Sequence, residues 1–167
     1  MMKETDQKTW EEPMDWERDG SRYLSSIMDI GELLLVHGAE VNRVEDTISR
    51  LCGAYGFVRS DVFTITSSIV ASAMAPDGTT ITQTRRIKDR DTDLGKVELV
   101  NGLSRRICEN PVSAEMIQEE IRAIRDMKSI SEGMKLGMYM LISSSLSVFF
   151  GGSWLDGLAA AVSGMVL

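Results

Sequence analysis

The stretch VHGAEVNRVEDT, Val36 to Thr47, places Glu40, Arg43 and Glu45 within one short segment directly after a glycine. Two carboxylates and a guanidinium at this spacing form a polar surface suited to meeting another element, a subunit or a solute. They are equally suited to pairing locally, since Glu40 with Arg43 is an i, i+3 pair and Asp46 with Arg50 an i, i+4 pair. The other isolated charge is Asp156, the only acid or base between Leu136 and Leu167. An acid in apolar surroundings needs water, a helix cap, a partner or a transported species.

Other chemistry is poorly supported. His37 is the only histidine, so neither a multi-histidine metal site nor a histidine dyad can form within one chain. No nucleophile-elbow pattern accompanies it, and a histidine at a helix end satisfied by nearby carbonyls is the simpler reading. Thr64, Thr66, Ser67 and Ser68 are hydroxyls that a hydrolase would need, yet they are also ordinary strand and turn formers. The acids of DRDTDLG, starting at Asp89, alternate as in a calcium loop. With Asp89 first, however, Leu94 stands where the glycine belongs and Val100 where the bidentate glutamate belongs. Cys52 and Cys108 lie too far apart for a zinc spacing and read as two buried or half-buried thiols. No catalytic residue, metal or cofactor is expected.

Lys+Arg total 18 against 25 Asp+Glu, a net charge of −7, which disfavours a nucleic-acid partner. The charge is uneven. Residues 1–20 hold Lys3, Lys8 and Arg18 against seven acids and read as an acidic flexible arm, in which Trp10, Met14 and Trp16 are able to dock locally. That N-terminus has no apolar core and is not a cleavable signal peptide.

Residues 21–130 read as an α+β head. Leu24, Ile27, Met28, Gly31, Leu34 and Leu35 recur at helical spacing up to Gly38, and Val41, Val44, Ile48, Leu51, Cys52 and Tyr55 form a second stripe that Gly56 ends. VFTIT, SIVASAM and TTITQT read as three strands of an antiparallel meander, the last two joined at Ala75-Pro76-Asp77-Gly78. Asp93 or Thr92 can cap a third helix and Ser113 a fourth. About four helices packed on one face of a three-stranded antiparallel sheet are expected.

Beyond the head, residues 134–152 are expected to form a first transmembrane helix, and 155–167 the truncated start of a second; a pair of buried core helices in a soluble protein is the alternative, since four serines weaken the hydropathy. Small residues suit close membrane-helix packing, and Trp154 suits the interface. Arg122, Arg125 and Lys128 precede the first span and Lys135 lies at its very start, which places the head in the cytoplasm.

The chain resembles the N-terminal half of the threonine/serine exporter family. The resemblance rests on Gly38-Ala39-Glu40 with Arg43-Val44-Glu45, on VFTITSSIVASAM, on the Arg86 to Leu94 connection into VELVNGLSRR with its Asn101, and on FFGGSWLDGLAAAVSG. It implies a multipass cell-membrane exporter of small polar metabolites, threonine/serine-like amino acids or small carboxylates, driven by an ion gradient. It also implies further membrane helices, in a C-terminal half or in a second small multipass subunit, and a homo- or hetero-oligomer. Glu40, Asn42, Arg43, Glu45, Asn101 and Asp156 become the candidates for substrate contact or coupling. A membrane-anchored hydrolase-like enzyme and a peptide- or partner-binding module are the alternatives.

Overall fold

The computed structural model describes residue 16, residues 18–127 and residues 132–164. Apart from Trp16 and Arg18 to Gly20, the expected arm lies outside the described residues, as do 128–131 and the last three positions of the expected second span. The chain divides into two compact units, Met1–Asp126 and Met127–Leu167.

The first unit contains α1 (Asp19–Val36), α2 (Val41–Ala54), β1 (Arg59–Ile65), β2 (Ser68–Met74), β3 (Thr80–Arg86), α3 (Leu94–Glu109) and α4 (Ala114–Asp126). α1 starts inside the expected arm. Trp16, just before it, docks edge-on against Phe57, with ring centroids 5.3 Å apart.

Two glycines stop the first two helices by one mechanism. Gly38 and Gly56 take φ of 94° and 86°. After α1, Ala39 N–H donates to Leu34 O and Gly38 N–H to Leu35 O; after α2, Phe57 N–H donates to Cys52 O and Gly56 N–H to Gly53 O. These are Schellman closures, which need a left-handed residue and therefore favour glycine. Asp93 caps α3 by accepting from Lys96 N–H at 3.1 Å, and Ser113 caps α4 by accepting from Met116 N–H at 3.3 Å.

The sheet is the expected meander, in order β1-β2-β3, antiparallel throughout. β2 coincides with SIVASAM. Its Ile69, Ala71 and Ala73 are buried, while Phe63 and Ile65 of β1 stay on the exposed face. The layering differs from expectation. α1 and α2 cover the inner face of the sheet, and α3 and α4 pack on the far side of α1 and α2, making a third layer. α1 therefore has neighbours on several sides, and Leu24, Ile27, Met28, Ile30 and Leu34 are fully buried. Its apolar content exceeds what one stripe requires because two layers close over it. Gly31 permits the closest approach to α2: a Cβ there would lie 2.6 Å from Ile48 Cδ1.

Polar side chains clip the layers together. Arg85 on β3 donates from Nε to Asp29 Oδ1 at 2.9 Å and from Nη2 to Ser25 Oγ at 2.8 Å, both on α1. Gln118 on α4 donates to the other oxygen of Asp29 at 2.8 Å. One carboxylate thus joins sheet, central helix and outer layer.

The second unit is an antiparallel hairpin of α5 (Glu132–Phe149) and α6 (Trp154–Ser163). Gly151 at φ 89° closes α5 in the same way as Gly38 closes α1, with Gly152 N–H donating to Ser147 O. The helices touch through small residues. Cβ atoms added at Gly157 and Gly164 would meet Val148 Cγ2 at 3.1 Å and Ser143 Oγ at 2.6 Å. The large apolar side chains point outward instead: Leu141, Phe149, Phe150 and Trp154 are between 71% and 81% exposed. No helix among the described residues is long and apolar enough to cross a membrane. α5 ends at Phe149 rather than continuing to 152, because Gly151 reverses the chain. Its four serines and Lys135 dilute the hydropathy.

Candidate functional site

α2 distributes the candidate residues in different directions. A helix turns 100° per residue, so neighbouring polar residues face different partners. Glu40 is the N-cap residue of α2, exposed and with no side-chain capping bond. Asn42 is exposed on the first turn. Glu45 points to the sheet, where its Oε1 accepts from Thr64 N–H at 2.7 Å. That bond occupies a backbone donor on edge strand β1, which would otherwise be open to another strand.

Arg43 lies on a different face, at a groove of about 610 Å³ between α2 and α3. Asn101 lines the same groove, so the structure brings together two candidates 58 positions apart in the sequence, Arg43 and Asn101. Asp46 and Arg50 form the expected i, i+4 ion pair along its wall at 2.8 Å. The expected Glu40–Arg43 pair does not form among the described residues. From α3 the groove receives Glu98, Arg105 and Glu109. Arg105 Nε donates to the backbone O of Asn101 at 3.3 Å.

Cys108 lines the groove near its Arg50 end; burial raises its thiol pKa, partly offset by Arg50. Cys52 is fully buried, and desolvation pushes its thiol up to about 12. Both are free, as the composition suggested.

Asp156 belongs to the second unit. Its Oδ2 accepts from Ser153 N–H and from Ser153 Oγ–H, each at 2.8 Å, while its own N–H donates to Ser153 Oγ at 3.3 Å. This is a capping box that starts α6, the cap that an acid in such a sequence is suited to make.

Two buried polar groups lacked a clear sequence signal. His37 closes α1 under the β3–α3 connection, which is tied down by Asp91 N–H donating to Val36 O and Asp93 N–H donating to His37 O. It is 6% exposed, and its Nδ1 has no hydrogen-bond partner among the described residues, so nearby carbonyls do not satisfy that nitrogen. Burial lowers its pKa, Lys96 adds to the effect, and Asp91 and Asp93 oppose it. Thr64 Oγ1 is likewise buried without a partner among the described residues. Thr66 and Ser67 form the turn between β1 and β2, and Ser68 starts β2, as turn and strand formers should.

No curated relative and no solved structure matches the chain. A family model does match, that of the threonine/serine exporters, over residues 25–167. This span contains both helix-stopping glycines of the head, the whole meander, both walls of the groove and the described hairpin. The chain therefore belongs to the threonine/serine exporter family.

Proposed function

We propose that this chain is the N-terminal part of a membrane exporter of small polar metabolites, threonine/serine-like amino acids or small carboxylates. In this reading the α+β unit is a cytoplasmic head. α5 and α6 belong to a membrane bundle completed by further helices, in the same protein or in a second small multipass subunit.

One observation carries the reading. The hairpin packs through glycine and serine and turns Leu141, Phe149, Phe150 and Trp154 outward, the reverse of the head. Such a surface is unfavourable in water, at roughly 25 cal/mol per Å² of apolar area, and becomes favourable when lipid or other helices cover it. The family match supports export as the activity.

The head's part is coupling or solute capture, with Glu40, Asn42, Arg43, Glu45 and Asn101 as its candidate residues and Asp156 at the mouth of the pathway. The test is efflux of preloaded radiolabelled threonine or serine from cells producing the whole exporter. Glu40→Gln, Arg43→Gln and Asp156→Asn are compared with the unmodified protein at matched membrane abundance. Efflux above that of host cells lacking the protein is expected, with a several-fold fall in at least one variant. Full-rate efflux from all three variants would remove the assignments of Glu40, Arg43 and Asp156, and no efflux of threonine or serine from the unmodified protein would remove the amino-acid part of the exporter reading.

A further inference from the structure

The two edges of the meander are finished differently. Bonds just beyond the ends of β3 fix its hydrogen-bonding pattern: Ile87 N–H donates to Ser67 O at 2.9 Å, and Ala75 N–H donates to Thr79 O at 2.8 Å. Both continue the register that pairs Ile69 with Arg85 and Ala73 with Ile81. Hydrogen-bonded pairs recur at every second residue of an antiparallel ladder. Ile81, Gln83 and Arg85 therefore bond to β2, while Thr80, Thr82, Thr84 and Arg86 turn their backbone groups off the sheet. On the opposite edge the same alternation turns Thr64 outward, and Glu45 takes its N–H. β3 has no such guard. Among the described residues no outward N–H of β3 has an acceptor, and of its outward carbonyls only Thr84 O is engaged, by Arg85 Nη1 at 3.4 Å.

A row of open donors and acceptors is a template for another strand, which proteins commonly blunt with proline, a bulge or a charge. β3 contains no proline, and its seven pairs with β2 run in unbroken register. Its inward charge, Arg85, is tied to Asp29 at 2.9 Å. Thr80, Ile81, Thr82 and Thr84 are β-branched, a shape that suits a strand paired on both sides. Charge is divided between the strand's ends: Arg86 and Lys88 are exposed at one, and Asp77 is exposed in the turn before the other.

We propose that the β3 edge pairs antiparallel with the β3 edge of a second copy of this chain, about a twofold axis at Gln83. In that register Thr82 lies opposite Thr84, and Thr80 opposite Arg86, of the other copy. All seven residues are paired, and each Arg86–Lys88 end meets the other copy's Asp77 turn. A parallel pairing would instead set Arg86 against Arg86. The two meanders become one continuous sheet, whose remaining edges are the two β1 strands guarded by Glu45. The pairing goes beyond the exporter reading and does not depend on it. A seven-residue edge spans about 24 Å, so the contact lies at the small end of interfaces and is weak in dilute solution.

The experiment is disulfide capture in the purified full chain in detergent at low salt. Cys108→Ser is present throughout to remove the half-buried native thiol, and Cys52 is fully buried. Thr82→Cys and Thr84→Cys chains are oxidised with copper–phenanthroline, separately and as an equal mixture. Directly opposite residues have Cα atoms about 5.5 Å apart, within reach of a disulfide, whereas those offset by two along the strand lie beyond about 7 Å. The mixture should therefore give at least about fivefold more cross-linked dimer than either chain alone. Thr80→Pro in both chains should cut that yield about tenfold, because it deletes an N–H used only across the edge. Arg86→Glu sets a carboxylate against Asp77 and should cut the yield about threefold with unchanged thermal melting. It decides the matter if the proline variant does not fold. A mixture with no excess over the separate chains would overturn the proposal, as would an excess that survives Arg86→Glu undiminished.

Discussion

The head and the hairpin use the same device to turn the chain and opposite rules for what faces outward. α1, α2 and α5 all end in a left-handed glycine closing a Schellman motif. Yet α1 hides Leu24, Ile27 and Leu34 completely, whereas α5 leaves Leu141 72% exposed and Phe149 81% exposed. In the head, large apolar residues fill the core and charges cover the surface. In the hairpin, glycine and serine fill the contact and large apolar residues cover the surface. Local chain chemistry is therefore shared, and the surroundings each unit is suited to are what differ.

The sharpest way to break that comparison is to truncate one leucine on each side. Leu34→Ala empties a fully buried position and is expected to lower head stability by about 2–5 kcal/mol. Leu141→Ala removes an outward side chain and should change unfolding of the purified full chain in detergent by less than about 0.5 kcal/mol. Denaturant titration followed by near-UV circular dichroism measures both. Equal losses would mean that α5 is packed like α1 and that its outward face is a core.

A second substitution tests what joins the head's layers. Arg85→Ala leaves Asp29 with only Gln118 as a side-chain partner and removes the Arg85 bonds between β3 and α1, while Gln83 still donates to Ser21 O at 2.8 Å. Fully buried pairs cost about 3–5 kcal/mol to break; here Arg85 and Asp29 remain 23% and 22% exposed, so about 1–3 kcal/mol is expected. The same denaturant titration checks it, and a loss below about 0.5 kcal/mol would show that the Arg85 bonds add nothing measurable to the joining of the layers.

The helix stops and the polar cluster at Asp29 show where the sequence is informative and where it is not. Gly38 and Gly56 are legible because a helical stripe followed by glycine has a single-residue signature, and SIVASAM because β-favouring residues stop at recognisable turns. The Ser153-x-x-Asp156 cap is local and equally readable. Layering is not: a stripe says which face is apolar, not which of the six other elements of the head will cover it, so the position of α3 and α4 off the sheet has no local sign. Asp29, Arg85 and Gln118 lie 56 and 89 positions apart and carry no periodic mark. The groove falls between these cases. Arg43 is marked by its neighbours, but Glu98, Arg105 and Glu109, which line the same groove, look like any solvated helix face until α2 and α3 are side by side. Glu45 shared its motif yet serves the strand edge, since its position on the helix points it to Thr64.

The smallest expected effect is a pH dependence confined to the head. His37 is buried, its Nδ1 is unpartnered among the described residues, and its folded-state pKa is lowered, first by burial and then by Lys96. Folding therefore favours the neutral ring. The corresponding stability is fully present above the unfolded value, about 6.5, and is lost as pH falls below it toward the lowered folded value. The hairpin contains no histidine and shares none of this window. Melting of the full chain between pH 7.5 and 5 should thus show a fall that shrinks in His37→Gln, because other groups titrating nearby remain common to both proteins. An identical fall in the two would mean that His37 takes up its proton as readily folded as unfolded, through rotation of the ring toward Asp91 or Asp93. The β3–α3 connection, tied to the end of α1 by Asp91 and Asp93, would then be loose enough to admit the charge.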